Sequence, residues 1–192
     1  MASQDTQQSA RCLPMKAETI AGSSSEKQTA VLDILFEPSE ALHDLAVPLL
    51  QTPFNSYSEL INCVGAKLHQ LAERAASDDS DKQVLYDILG SHPRLGASKA
   101  THLSDFSKLE QANLSTPGEG GEEAQQLEKL NEEYEKTFPG LRYVVFVCGR
   151  RRDVIMEDMR HRIDAGDVSR EINTTITVSL LPCPRSYCLY SI

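Results

Sequence analysis

Ser56-Tyr57-Ser58-Glu59-Leu60-Ile61-Asn62-Cys63-Val64-Gly65-Ala66-Lys67-Leu68-His69-Gln70-Leu71 decides the fold class. Leu60, Ile61, Val64, Leu68 and Leu71 recur at the spacing that lines one face of an α-helix. Ser56 and Glu59 have the spacing of a capping box, in which a serine hydroxyl and a glutamate carboxylate satisfy backbone N–H groups at the helix start. The same grammar extends in both directions. Upstream, Val31, Leu32, Ile34 and Leu35 begin an apolar face that Pro38-Ser39 breaks and restarts, and Leu42, Leu45, Ala46, Leu49 and Leu50 continue it with Pro48 as a kink.

Downstream, residues 77–82 read as a polar loop, and Val84, Leu85, Ile88 and Leu89 as a short helix closed by Gly90. Leu103-Ser104 leads into a helix carrying Phe106, Leu109, Ala112 and Leu114, and residues 115–123 form a Gly- and Glu-rich loop. Leu127, Leu130 and Tyr134 mark a helix stopped at Pro139-Gly140; Ile155, Met159 and Ile163 mark another, and a last one starts at Asp167. Residues 143–147 have strand propensity but no partner strand, which leaves a buried extended segment or a helix equally open. The expected fold is all-α, a single domain built as a compact bundle of short helices over residues 29–177. A flexible lead-in occupies residues 1–28 and an atypical tail residues 178–192.

A chain of 192 residues with 40% hydrophobic side chains can bury a real core. Its apolar runs are too short to span a bilayer, and the start has no charged-then-apolar secretory pattern. A net charge of −9 argues against a nucleic-acid partner, which needs a basic face. Cys12, Cys63, Cys148, Cys183 and Cys188 are odd in number and irregularly spaced, so an intracellular, reducing compartment is expected rather than a disulfide framework. The spacing of Cys183 and Cys188, and the scattered His43, His69, His102 and His161, do not make a metal site.

Chemistry concentrates in Ser91-His92-Pro93-Arg94-Leu95-Gly96 and in Ser107-Lys108-Leu109-Glu110-Gln111. Pro93 biases His92 towards extended backbone, which can aim the imidazole into a pocket or leave it at a solvated helix exit. Ser107, Glu110 and Gln111 share one side of a helix, either as a polar patch or as a capping box. A histidine and a carboxylate in one cleft can move a proton near neutral pH. Arg150, in the run Arg150-Arg151-Arg152 after Cys148-Gly149, is an anion site or an ordinary helix start.

Together these segments resemble the OHCU decarboxylase family (2-oxo-4-hydroxy-4-carboxy-5-ureidoimidazoline decarboxylases) over about residues 31–177. The resemblance rests on Leu35-Phe36-Glu37, His92-Pro93-Arg94-Leu95-Gly96, Ser107-x-x-Glu110-Gln111, Leu130-Asn131-x-x-Tyr134, Cys148-Gly149-Arg150, and Arg162-Ile163 with Glu171. Residues 32–50 and 139–143 look like fungal members. The resemblance implies an all-α homodimer without a cofactor that forms (S)-allantoin in urate catabolism, in peroxisome or cytoplasm. It makes His92 the catalytic acid/base and Glu110 its partner, with Pro93, Ser107, Gln111 and Arg150 binding substrate.

The resemblance stops after Thr177. Family members close the last helix with an Arg-Leu pair that belongs to the substrate site, whereas here Val178-Ser179-Leu180-Leu181-Pro182-Cys183-Pro184 is expected to end it. A retained intron is one source for such a tail. Two further readings therefore stand beside the enzyme: a catalytically impaired relative, and an acidic helical interaction module.

Overall fold

The computed structural model describes residues 15–96, 120–147 and 150–181. Within them the helices are α1 (Ser25–Leu35), α2 (Glu40–Ala46), α3 (Tyr57–Ala75), α4 (Asp79–Leu89), α5 (Gly120–Thr137), α6 (Arg152–Ala165) and α7 (Val168–Ser179). Short 3-10 turns occupy Ala17–Thr19 and Val47–Gln51, and no strand occurs among the described residues. The fold is all-α. The helix expected around Phe106 to Leu114 lies outside the described residues.

Side chains write most of these helix starts. Ser39, Ser56, Asp78 and Asp167 each accept the N–H three residues on, from Leu42, Glu59, Asp81 and Arg170. Such a cap stabilises a helix by about 1 kcal/mol. The capping box at Ser56 is only half made: the Glu59 carboxylate turns to the backbone and side-chain N–H groups of Asn55, at 2.8 and 2.9 Å. Two helices begin earlier than the residue pattern suggests. Asp79 and Asp81 lie in the first turn of α4 rather than in a loop, and Glu122 and Glu123 in the first turn of α5. Acidic residues are favoured there by the partial positive charge of the helix N-terminus.

The apolar stripe of α3 is the spine of the core. Leu60, Val64, Leu68 and Leu71 are buried along it, and α3 packs on α4 and α7, while α2 packs on α4 and α5 on α6. Burying each such leucine contributes roughly 1.5–3 kcal/mol. The segment 15–28, expected to be a flexible lead-in, joins this core from Met15 onward. Ile20 is fully buried, Gln28 donates to the Ile20 carbonyl at 3.1 Å, and Tyr57 donates to the Met15 carbonyl at 2.7 Å. Residues 141–147 are neither helix nor strand, and Leu141, Tyr143 and Val147 point into the core.

The last helix runs through Ser179, where the Leu180 N–H closes it on the Ile176 carbonyl. The Leu180 side chain then lies across Gly65 in α3; a Cβ at Gly65 would sit 2.5 Å from Leu180 Cδ1. Gly65 is thus the gap in α3 that lets α7 finish against it. No helix among the described residues is long and apolar enough to cross a membrane.

Candidate active site

His92 sits in the turn that leaves α4. Gly90 ends that helix, Ser91 Oγ donates back to the Ile88 carbonyl at 2.7 Å, and Pro93 keeps the chain out of a further helical turn. Two contacts to α5 then fasten the loop. Arg94 forks onto Glu135, with Nε to Oε1 at 2.6 Å and Nη2 to Oε2 at 2.5 Å. Arg142 reaches the same carboxylate at 2.8 Å. The hydrogen bond from Arg94, with the charge of Arg142, holds the Glu135 carboxyl below the usual carboxylate range. Buried Asn131 donates to the Leu95 carbonyl at 3.1 Å and to the Leu127 carbonyl at 3.0 Å. Gly96 takes the chain away at φ +80°, a left-handed turn in which a Cβ would also meet Leu127.

The imidazole meets two other elements. Its Nε2 lies 2.9 Å from Ser179 Oγ on the last turn of α7. Glu37, only 6% exposed in the extended stretch after α1, is close enough for its charge to favour the imidazolium. Burial is the larger effect and pushes the His92 pKa below its ordinary value. Burial thus favours the neutral form of the ring, and Glu37 opposes it.

A second polar network anchors the elements that carry this site. Tyr134 on α5 donates to Glu171 on α7 at 2.6 Å, and Arg162 on α6 reaches the same Glu171 oxygen at 3.2 Å. Arg162 also pairs with Asp158 at 2.9 Å and lies over the Tyr143 ring, while the Tyr143 hydroxyl donates to Asp158 at 2.5 Å. Burial and the neighbouring carboxylates push both phenols upward, so each stays a neutral donor. Asn131, Tyr134, Arg162 and Glu171 thus fasten these elements to one another.

Of the residues singled out from sequence, the described structure places His92, Pro93 and Arg150. Pro93 is half-buried beside the histidine. Arg150 is exposed; its Nε donates to the Phe146 carbonyl at 2.9 Å, and its Nη2 reaches the same oxygen. No hydrogen bond or ion pair joins Arg150 to His92 among the described residues. Ser107, Glu110 and Gln111 lie outside the described residues. His43, which looked solitary, pairs with Asp33 at 2.6 Å, and no described cluster of three His, Cys, Asp or Glu side chains is placed to hold a metal ion. Glu37 and Ser179 are the residues that sequence reasoning did not put in the site. For Glu37 the available signal was its place in the Leu35-Phe36-Glu37 run, which was given no role in the site; for Ser179 it was obscured by the prolines that follow.

A family model described as OHCU decarboxylase matches residues 22–178, a span that includes the His92 loop, Glu37 and α7 almost to its end. The chain belongs to the OHCU decarboxylase family. Among its OHCU decarboxylase relatives, the 2-oxo-4-hydroxy-4-carboxy-5-ureidoimidazoline decarboxylase of Haloferax volcanii is 28% identical over 124 residues. That match covers 65% of this chain and 66% of the relative, a little short of two thirds of the relative's length. The half-buried histidine loop thus lies within the OHCU decarboxylase domain, flanked by α4 and by the end of α7.

Proposed function

We propose that this protein decarboxylates 2-oxo-4-hydroxy-4-carboxy-5-ureidoimidazoline to (S)-allantoin in urate breakdown, with His92 as the acid/base. The observation that carries the reading is the His92 ring itself. It is half-buried, hydrogen-bonded to a second helix, and fixed in a loop that α5 clamps at both Arg94 and Leu95. Family membership supplies the substrate.

The chemistry suits these residue types. When the C–C bond to the carboxylate breaks and CO2 leaves, the electron pair passes into the substrate's own C=N bond, whose nitrogen takes up a proton from solvent. The protein has then to take the proton of the 4-hydroxyl, orient the carboxylate and deliver a proton to one face of C5. His92 performs the proton transfers, a contribution typical of general acid–base groups at about 10²–10⁴-fold. Glu110 is the proposed carboxylate partner. Pro93, Ser107, Gln111 and Arg150 are the proposed substrate contacts, Arg150 exchanging the Phe146 carbonyl for the substrate carboxylate. The active species is proposed to be a homodimer working without a cofactor, in peroxisome or cytoplasm.

The test supplies freshly formed substrate, made from urate with urate oxidase and hydroxyisourate hydrolase, and follows the circular dichroism of the allantoin. Rapid growth of the (S) signal that His92→Ala abolishes is expected. A slow racemic product unaffected by the protein overturns the reading. It would favour instead a folded but impaired relative, because α7 here ends at Ser179 without the Arg-Leu closure of the family.

A further inference from the structure

A serine hydroxyl has one proton to donate. Ser179 Oγ lies 2.8 Å from the Thr175 carbonyl and 2.9 Å from His92 Nε2. The carbonyl can only accept, whereas the imidazole nitrogen can accept or donate according to its tautomer. Two neighbouring hydroxyls on α7 also donate to the carbonyl four residues back: Thr174 gives its proton to Arg170 and Thr177 to Asn173, both at 2.8 Å. With its proton committed to Thr175, Ser179 Oγ presents a lone pair to His92 and receives Nε2–H.

We propose that Ser179 is a positioning residue that fixes neutral His92 as the Nε2–H tautomer and so makes Nδ1 the atom that accepts and returns the proton. The catalytic half of this assignment rests on the decarboxylase reading above; the tautomer does not. The arrangement serves both charge states of the ring. As Nδ1 takes up a proton, Nε2–H keeps donating to the same oxygen, and neither hydroxyl nor helix has to turn, which is the sense in which a site is preorganised. Ser179 can hold that geometry because α7 is anchored on either side of it, by Glu171 to Tyr134 and Arg162 and by Leu180 across Gly65.

The experiment is a long-range ¹H–¹⁵N correlation spectrum of protein labelled with ¹⁵N-histidine, recorded well above pH 6.5. For His92 we expect a protonated, pyrrole-type Nε2 and a bare, pyridine-type Nδ1. The reverse pattern, or an even mixture, in the unsubstituted protein overturns the proposal. In Ser179→Ala the two nitrogens are expected to move towards a mixture while kcat falls about ten-fold, the size of one net hydrogen bond, with KM little changed. Ser179→Thr, whose hydroxyl can make the same bond to Thr175, should restore both. A Ser179→Ala protein that is merely less stable, with unaltered nitrogen signals and kcat, also overturns it. If the tautomer is as expected but no decarboxylation occurs, the functional reading fails and the tautomer stands. If decarboxylation is rapid and Nδ1 carries the proton, the tautomer alone fails.

Discussion

Leu180 lies across Gly65 at a distance that leaves no room for a Cβ, 2.5 Å from such an atom to Leu180 Cδ1. One glycine in the middle of α3 thus decides where the end of α7 rests, and with it where Ser179 stands relative to His92. Gly65→Ala adds helix propensity, up to about 1 kcal/mol, and overpacks the site at a cost of about 1–3 kcal/mol. The clash falls on the far end of a flexible side chain, so a net loss of about 1 kcal/mol in urea unfolding is expected. Activity should fall more than stability. Adding Leu180→Ala removes the clash, and a double-mutant cycle should show the two substitutions coupled.

Burial lowers the His92 pKa, so acid should unfold this protein partly through that ring. The unfolded ring titrates near pH ~6.5. Between that value and the lower folded one, the unfolded chain holds more protons, and stability rises with pH. The contribution is complete above the unfolded value and is lost as pH falls from there through the folded pKa. Urea unfolding as a pH series should show this slope, and His92→Gln should flatten it.

Glu37 acts in the opposite direction on the same ring, because its charge favours the imidazolium. Glu37→Gln is therefore expected to lower the His92 pKa further. An NMR titration of His92 should move to more acidic pH, and the acid limb of kcat/KM should move with it. An unchanged titration would remove Glu37 from the site.

Asn131 gives both of its amide hydrogens to carbonyls, at Leu95 and Leu127. Asn131→Leu leaves the Leu95 carbonyl without its side-chain donor, at about 1–3 kcal/mol. Because Leu95 belongs to the His92 loop, faster amide exchange is expected there than in α3.

Glu171 is 4% exposed at its side chain and faces Arg162 at 15%. Glu171→Leu removes the carboxylate that accepts from both Tyr134 and Arg162, and among the described residues Arg162 keeps only Asp158 as an acidic partner. Loss of one member of a buried pair costs about 3 kcal/mol at the low end of such cases, measured as a fall in unfolding free energy.

The helices were legible because apolar periodicity and side-chain caps are local signals. Val31 and Leu32, the α3 stripe, and Ile155 with Met159 all fall where their spacing puts them. Two of the misread helix starts share one cause. Asp79-Ser80-Asp81 and Gly120-Gly121-Glu122-Glu123 have loop composition, yet the field at a helix N-terminus favours acidic residues. In the site, His92 was legible from its motif, while Glu37 and Ser179 were not. Their importance comes from tertiary contact with His92, which no periodicity records. The prolines at 182 and 184 correctly announce a helix end, but proline restricts the residue just before it and leaves Ser179 free to stay helical.

Ser179 follows His92 by 87 residues. A chain emerging N-terminus first can therefore collapse α1 to α4 and present the histidine loop long before the hydroxyl that completes it has been made. During that interval the imidazole has no Ser179 hydroxyl to meet. Seating the final helix supplies that contact, so the order of synthesis leaves the His92 loop incomplete until the rest of the domain is in place.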